Sequence, residues 1–365
     1  MSPTDDTKSG LKGLALASLS IHADDGVSAH RAVAPALHPA APNDSHVYSR
    51  HSSPNIARFE AVLTALLHGP AITYSSGLSA FHAMIVRLNP RRVAIGGGYH
   101  GCHGVLHIMQ RLTGLEILPL DCPATDLQPG DVVHARDAGA YLTVDATFAP
   151  PPLLDPFAHG ADVVMHSGTK YFGGHSDLLC GVLAVSPARA AEGWHAALHD
   201  ERLLLGSVMG NFEGWLGLRS VRTLELRVER QSATAHRLVA WLAAQTADPS
   251  TPAAKVLDRI HHASLQPEAA DETSWLRKQM PRGFGPVFAI QTRTEAAARH
   301  LPSKLTLFHH ATSLGGVESL IEWRAMSDET VDRTLLRVSV GVEAWEDLRD
   351  DLQAGFAALV ADNLA

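Results

Sequence analysis

No apolar run in this chain approaches the roughly 20 residues that a helix needs to cross a bilayer. The opening Met1-Ser2-Pro3-Thr4-Asp5-Asp6 lacks the basic segment of a secretory leader, so a cytoplasmic protein is expected. Cysteine is scarce. Cys102, Cys122 and Cys180 are odd in number and show no CxxC spacing, which excludes a disulfide framework and a zinc ribbon. HExxH is also absent, so the 22 histidines, including His100, His103 and His107 at one-face helical spacing, give no expectation of a metal. An excess of positive charge is missing as well: a net charge of −8 argues against a general nucleic-acid or anionic-membrane binder. What is present is the composition of a globular protein, 45% hydrophobic and 19% charged, in 365 residues that can hold two domains with separate cores.

The stretch with most chemistry is His166-Ser167-Gly168-Thr169-Lys170-Tyr171-Phe172-Gly173-Gly174-His175-Ser176-Asp177, which follows the apolar strand pattern Ala161 to Met165. A surface lysine in a Gly-rich turn is the plain interpretation. Burial, however, lowers a lysine's pKa and frees its amine to attack a carbonyl as a Schiff base, and the flanking hydroxyls suit a phosphate. Pyridoxal phosphate needs a lysine for its aldehyde, a carboxylate for its pyridine nitrogen, an aromatic ring over its face and donors for its phosphate. Lys170, Asp145, Tyr99 and Ser76-Gly77-Leu78 with Ser167 and Thr169 supply these four.

Asp145-Ala146-Thr147-Phe148-Ala149-Pro150 followed by His166 to Asp177 resembles the signature of the Cys/Met-metabolism pyridoxal phosphate enzymes, the trans-sulfuration group that includes cystathionine γ-synthase, cystathionine β- and γ-lyase and methionine γ-lyase. The resemblance extends over most of the chain and implies a type I PLP-dependent transferase fold, α/β, with a large mostly parallel-sheet domain and a smaller α/β C-terminal domain. It implies that Lys170 carries pyridoxal 5'-phosphate and shuttles protons, that Asp145 keeps the pyridine nitrogen protonated, and that Tyr99 stacks on the ring. Tyr48 and Arg50 match a Tyr-x-Arg that reaches the partner's cofactor phosphate, which implies a homodimer or homotetramer with shared sites. Arg337, in Leu335-Leu336-Arg337-Val338-Ser339-Val340-Gly341, matches the arginine that grips a substrate α-carboxylate, a task for its planar fork. Ser313, in Ala311 to Leu320, belongs to the substrate-side loop. Past Ile321 the chain departs from the family's Pro-containing stretch and reads Glu322-Trp323-Arg324-Ala325-Met326-Ser327-Asp328.

Three regions are expected: an N-terminal arm at 1–55 that docks onto another surface, the large domain at 56–214, and a linking helix with the small domain at 215–365. Helical spacing marks Ile56 to Leu67, and Ala71 to Tyr74 is a strand before a helix opening at Ser75-Ser76-Gly77, whose free N–H groups suit an anion. Strand Arg91 to Ile95 leads into Gly96, Gly98 and Gly101, a GxGxxG match with Asp121 closing the next strand. On those features a nicotinamide-dependent oxidoreductase competes, but it leaves Asp145 and the lysine loop without a role. One pattern runs from Trp215 to Gln245 as a single amphipathic helix, its Arg219, Arg222, Arg227 and Arg230 a solvated or salt-bridged face. Leu179 to Val185 is expected as an antiparallel strand, and Pro286 to Ile290 and Leu305 to Phe308 as strands. A last helix carries Leu348, Leu352, Phe356 and Leu359 on one face.

Strand patterns at Asp131 to His134 and Tyr141 to Asp145 leave only six residues, Ala135 to Ala140, for a crossover that parallel neighbours ordinarily make with a dozen or more. The family carries an asparagine-bearing loop and a helix there, so the chain reads as a shortened variant near 134–141. The reaction expected is γ-replacement of an activated homoserine ester by cysteine. A cystathionine or methionine lyase and a catalytically silent relative are the alternatives within the family. Small amino acids are the expected partners, with no nucleic acid and no membrane.

Overall fold

The computed structural model describes residues 14–27, 48, 50–122, 132 and 140–365. They form two compact units, Met1–Thr147 with Asp155–Gly173 and Asp177–Thr223, and Phe148–Leu154 with Gly174–Ser176 and Leu224–Ala365. No helix among the described residues is long and apolar enough to cross a membrane.

Among the described residues of the first unit the strands are β1 Ala71–Tyr74, β2 Arg92–Ile95, β3 Glu116–Pro119, β4 Thr143–Asp145, β5 Val163–Ser167 and β6 Gly181–Val185. Their order is β1-β6-β5-β4, with β2-β3 beside them. Val132 joins the two groups, bridging Val93 on one side and Tyr141 on the other, both in parallel. Only β6 runs against its neighbours, as its apolar pattern suggested. Val132 and Tyr141 are thus parallel neighbours with only residues 133–140 between them; the crossover expected to be missing near 134–141 falls largely on 133–139, outside the described residues.

Helices Gly77–Leu88 and His100–Thr113 bury Phe81, Ile85, Cys102 and Leu106 against Ile72, Val93, Met165 and Leu183 of the sheet. Local signals set their ends. Ser76 caps the first, its Oγ accepting the Ser79 N–H at 3.1 Å, and Asn89 ends it in the left-handed region at φ 41°. Gly114, at φ 77°, ends the second. Helix Pro54–Leu66 turns Ile56, Phe59, Val62 and Leu63 inward, as their spacing required. The described part of the N-terminal arm, helix Leu16–His22 and the turn after it, docks on its own unit: the fully buried Asp24 lies 2.6 Å from Arg58 and 3.5 Å from Arg222.

The expected single helix from Trp215 to Gln245 is two, Asn211–Val221 and Leu224–Ala247. At the break the Thr223 hydroxyl and N–H both bond the Ser220 carbonyl, each at 3.2 Å, closing a turn in place of a helical continuation. The break resets the register: Arg227, expected on a solvated face, is buried, and Leu226, expected inside, is exposed. Burial pushes the Arg227 guanidinium down to about 10.

The second unit holds β7 Leu257–His261, β8 Val287–Thr292, β9 His309–His310, β10 Leu320–Trp323 and β11 Leu335–Ser339, in the order β7-β8-β11-β10-β9. Its core joins Phe288, Ile290, Ile321, Leu336 and Val338 to the long helix and to Leu348, Leu352, Phe356 and Leu359 of helix Trp345–Ala361. The strand expected at Leu305 to Phe308 is not there. The Asp351 carboxylate accepts the N–H groups of Thr306 and Leu307, each at 2.9 Å, removing donors a strand would use, and pairing begins only at β9.

Gly181 opens β6 with its α-carbon against the Ser76 carbonyl and Ala80, where an added Cβ would collide with backbone. Gly181→Ala is therefore expected to cost roughly 1–3 kcal/mol by overpacking, read as a lowered denaturation midpoint.

Candidate active site

Three chain ends meet at the C-terminal edge of the first unit's parallel strands, where open α/β sheets place ligands. β4 delivers Asp145, β5 delivers Ser167 and then Lys170, and β1 leads into the helix at Ser76-Gly77-Leu78. The approach between two of them is close: a Cβ on Gly77 would sit 3.1 Å from Ser167 Cβ and 3.2 Å from its Oγ. Without a side chain at residue 77 the helix N-terminus lies close against the β5 hydroxyl, with N–H groups of its first turn left for a ligand. That is the cradle an anionic phosphate requires. The Lys170 N–H closes a turn onto the Ser167 carbonyl at 3.1 Å, and the residue is half-buried.

A side chain to which the sequence assigned no role connects the other two ends. Thr147 donates its hydroxyl to Asp145 Oδ1 at 2.5 Å, while Thr147 Oγ1 itself accepts the Ser167 N–H at 2.8 Å; the Thr147 N–H adds a 3.0 Å bond to Asp145 Oδ1. Carboxylate and lysine turn are thereby held at fixed separation. The only sign in the sequence was Asp-x-Thr, which also describes an ordinary Asx turn.

Asp145 and Tyr99 line one cavity of about 240 Å³ with Phe81, Met84, Ile85 and Cys102. Protein crowds the Asp145 carboxylate, and this desolvation pushes its pKa up against the two Thr147 hydrogen bonds that lower it; solvent still reaches it through the cavity mouth. A carboxylate in that state gains from a neighbouring cation such as a pyridinium. Tyr99 caps the His100 helix with an exposed ring, and a Cβ on Gly101 would meet both that ring and Leu78. The GxGxxG turn thus serves to bring Tyr99 beside Leu78. Cys102 is pushed up to about 12 by burial first and by the Asp145 charge second, which keeps it a neutral thiol. His166 is held neutral in the core, down to about 3 by burial.

Thr169 is engaged with Cys180. Its hydroxyl donates to the Cys180 carbonyl at 3.2 Å and accepts the Cys180 N–H at 3.0 Å, so its proton is committed to the protein. Tyr48 and Arg50 are exposed and stack on each other, the guanidinium carbon 4.7 Å from the ring centroid. His103 and His107 bond backbone carbonyls of Gly96 and His103, and no metal-holding group of side chains occurs among the described residues.

In the second unit, Arg337 and Ser313 are together. Arg337 Nη2 meets the carbonyls of Thr312 at 2.5 Å and Ser313 at 2.8 Å and the Glu322 carboxylate at 2.7 Å. Ser339 Oγ accepts the Gly315 N–H and Gln231 donates to the Gly316 carbonyl, which pins the loop that carries Ser313.

These residues fit pyridoxal phosphate: an amine, a crowded carboxylate, an exposed ring and a glycine-lined anion cradle. Comparisons with known proteins agree. The family described as Cys/Met metabolism PLP-dependent enzyme matches residues 123–357. Cystathionine gamma-synthase of Escherichia coli is 34% identical over 358 residues, covering 86% of this chain and 88% of that protein. L-methionine gamma-lyase of Brevibacterium sandarakinum is 32% identical over 347 residues, covering 86% and 84%. Among solved structures, a methionine gamma lyase from Micromonospora echinospora superposes with a TM-score of 0.81 at 28% identity, covering 94% of this chain and 99% of the other.

Because folding raises the Asp145 pKa, the folded chain holds this proton more tightly than the unfolded one, and the carboxylate is a penalty that grows as pH rises through its folded pKa. Asp145→Asn is expected to raise the melting temperature of the cofactor-free protein at neutral pH, with the gain vanishing toward acid pH. The same change should weaken cofactor binding on the order of tenfold or more, the loss expected when a partly desolvated ion pair is broken. Melting curves against pH and a cofactor titration check both.

Proposed function

The chain belongs to the Cys/Met metabolism PLP-dependent enzymes, and we propose that within this family it catalyses γ-replacement, joining an activated homoserine ester to cysteine to give cystathionine. The observation that carries the reading is the cradle in which Gly77 lies against Ser167 while Thr147 ties Asp145 to the lysine turn. Likeness to a cystathionine gamma-synthase over most of both chains favours replacement over elimination. The likeness to a methionine gamma-lyase supports the second reading, a lyase of the same family.

Bound pyridoxal phosphate supplies an electron sink for negative charge that develops at the substrate Cα. Asp145 would hold a proton on the pyridine nitrogen, which keeps that sink effective. The Gly77 and Leu78 N–H groups, with the Ser76 and Ser167 hydroxyls, would bind the phosphate; Thr169 reinforces the turn through Cys180. The exposed Tyr99 ring would offer a stacking surface to the cofactor ring. Lys170 would hold the cofactor's aldehyde, and its Nζ, as a free amine, would accept the substrate Cα proton and return protons further along the chain. Arg337 receives the α-carboxylate, a match of planar fork to planar anion, with Ser313 beside it. Tyr48 and Arg50 serve a neighbouring subunit's phosphate, so the working form is a homodimer or homotetramer. The parallel pairing of Val132 with Tyr141 across so few residues favours a further reading, a relative that binds cofactor but turns over little.

Incubation with an acyl-homoserine and cysteine should yield cystathionine. Ammonia and a keto acid formed without added thiol would assign the lyase, and cofactor binding with no product from any of these substrates would assign the silent relative.

A further inference from the structure

The departure of residues 322–328 from the family's Pro-containing stretch is what the reading above leaves unused. Glu322 is fully buried on β10, directly opposite Arg337 on β11. Its Oε2 lies 2.7 Å from Arg337 Nη2, and both its oxygens accept from Arg324 Nη1 at 3.0 Å. The Ser327 hydroxyl adds a bond to Oε1 at 2.5 Å. One buried carboxylate is therefore divided between two guanidinium groups. Asp328 lies 4.0 Å from Arg324 Nη2.

Without Arg324, Glu322 would have no second guanidinium to share its charge with, and a close buried pair of Glu322 with Arg337 has less attraction left for a further anion. With Arg324 holding both oxygens of Glu322, positive charge remains at Arg337. We propose that Arg324 is a positioning residue for substrate binding: it draws off the Glu322 charge so that Arg337 keeps its pull on a carboxylate. This rests on the reading of Arg337 as the carboxylate fork. It makes Arg324 a determinant of selectivity for free amino acids over neutral amides or esters of the same shape.

The test uses the cofactor-loaded enzyme and two small probes, glycine and glycinamide, titrated by the change in the cofactor's absorbance. Arg324→Met should weaken glycine roughly tenfold, an effect in the range of close charge pairs, and leave glycinamide unchanged. Arg324→Lys, which keeps the charge, should stay near the parent. Arg324→Met combined with Glu322→Gln should regain much of the glycine affinity, because the competing charge is gone. Equal losses for both probes, a lysine variant as weak as the methionine one, or no recovery in the double variant would each overturn the proposal. Arg337→Met separates the underlying reading: if it leaves the glycine preference intact, Arg337 is not the fork and the proposal falls with it, whereas loss there together with no effect at Arg324 overturns the proposal alone.

Discussion

The hydroxyl of Thr147 holds the site together. It stands at the end of β4 as donor to Asp145 and as acceptor for the first N–H of the lysine turn at the end of β5. Strand ends in a sheet are set by backbone pairing, but the loops that leave them are not, and without a cross-link the carboxylate and the amine would sit on separately mobile segments. A single oxygen satisfied in both directions removes that freedom at the point where the chemistry needs it. The neighbouring end is fixed differently, by the missing side chain of Gly77, which lets a helix N-terminus rest on Ser167.

Second-unit architecture follows another logic. There the charged groups lie inside a pinned frame, Glu322 between Arg324 and Arg337, with the loop of Ser313 tied to β11 through Gly315 and Ser339. Buried ion pairs of this kind contribute little net stability compared with apolar packing; their value lies in orientation. The apolar packing comes from Ile321, Leu336, Val338 and the helix carrying Leu348, Leu352 and Phe356.

Much of this was legible in the sequence, and the exceptions share a cause. Asp145, Lys170 and Ser76-Gly77 could be singled out as candidates because strand-then-glycine patterns are local, and the strands and helices around them fell where periodicity put them. The features that escaped depend on residues far apart. The break at Arg222-Thr223 involves residues of ordinary helical propensity, so only the folded chain reveals that the register restarts, with Arg227 in and Leu226 out. Leu305 to Phe308 has an extended pattern, yet Asp351 takes its N–H groups from a helix far downstream. Thr169 looked like a phosphate donor, but Cys180 engages its hydroxyl on both sides.

Attachment of pyridoxal phosphate to Lys170 can be measured directly. The purified protein, mixed with pyridoxal phosphate, is followed by visible absorbance, reduced with borohydride and mapped for the modified peptide. A new band near the visible edge and a stable adduct on Lys170 are expected. A folded protein that develops no band, or one whose adduct falls on another lysine, would contradict that attachment.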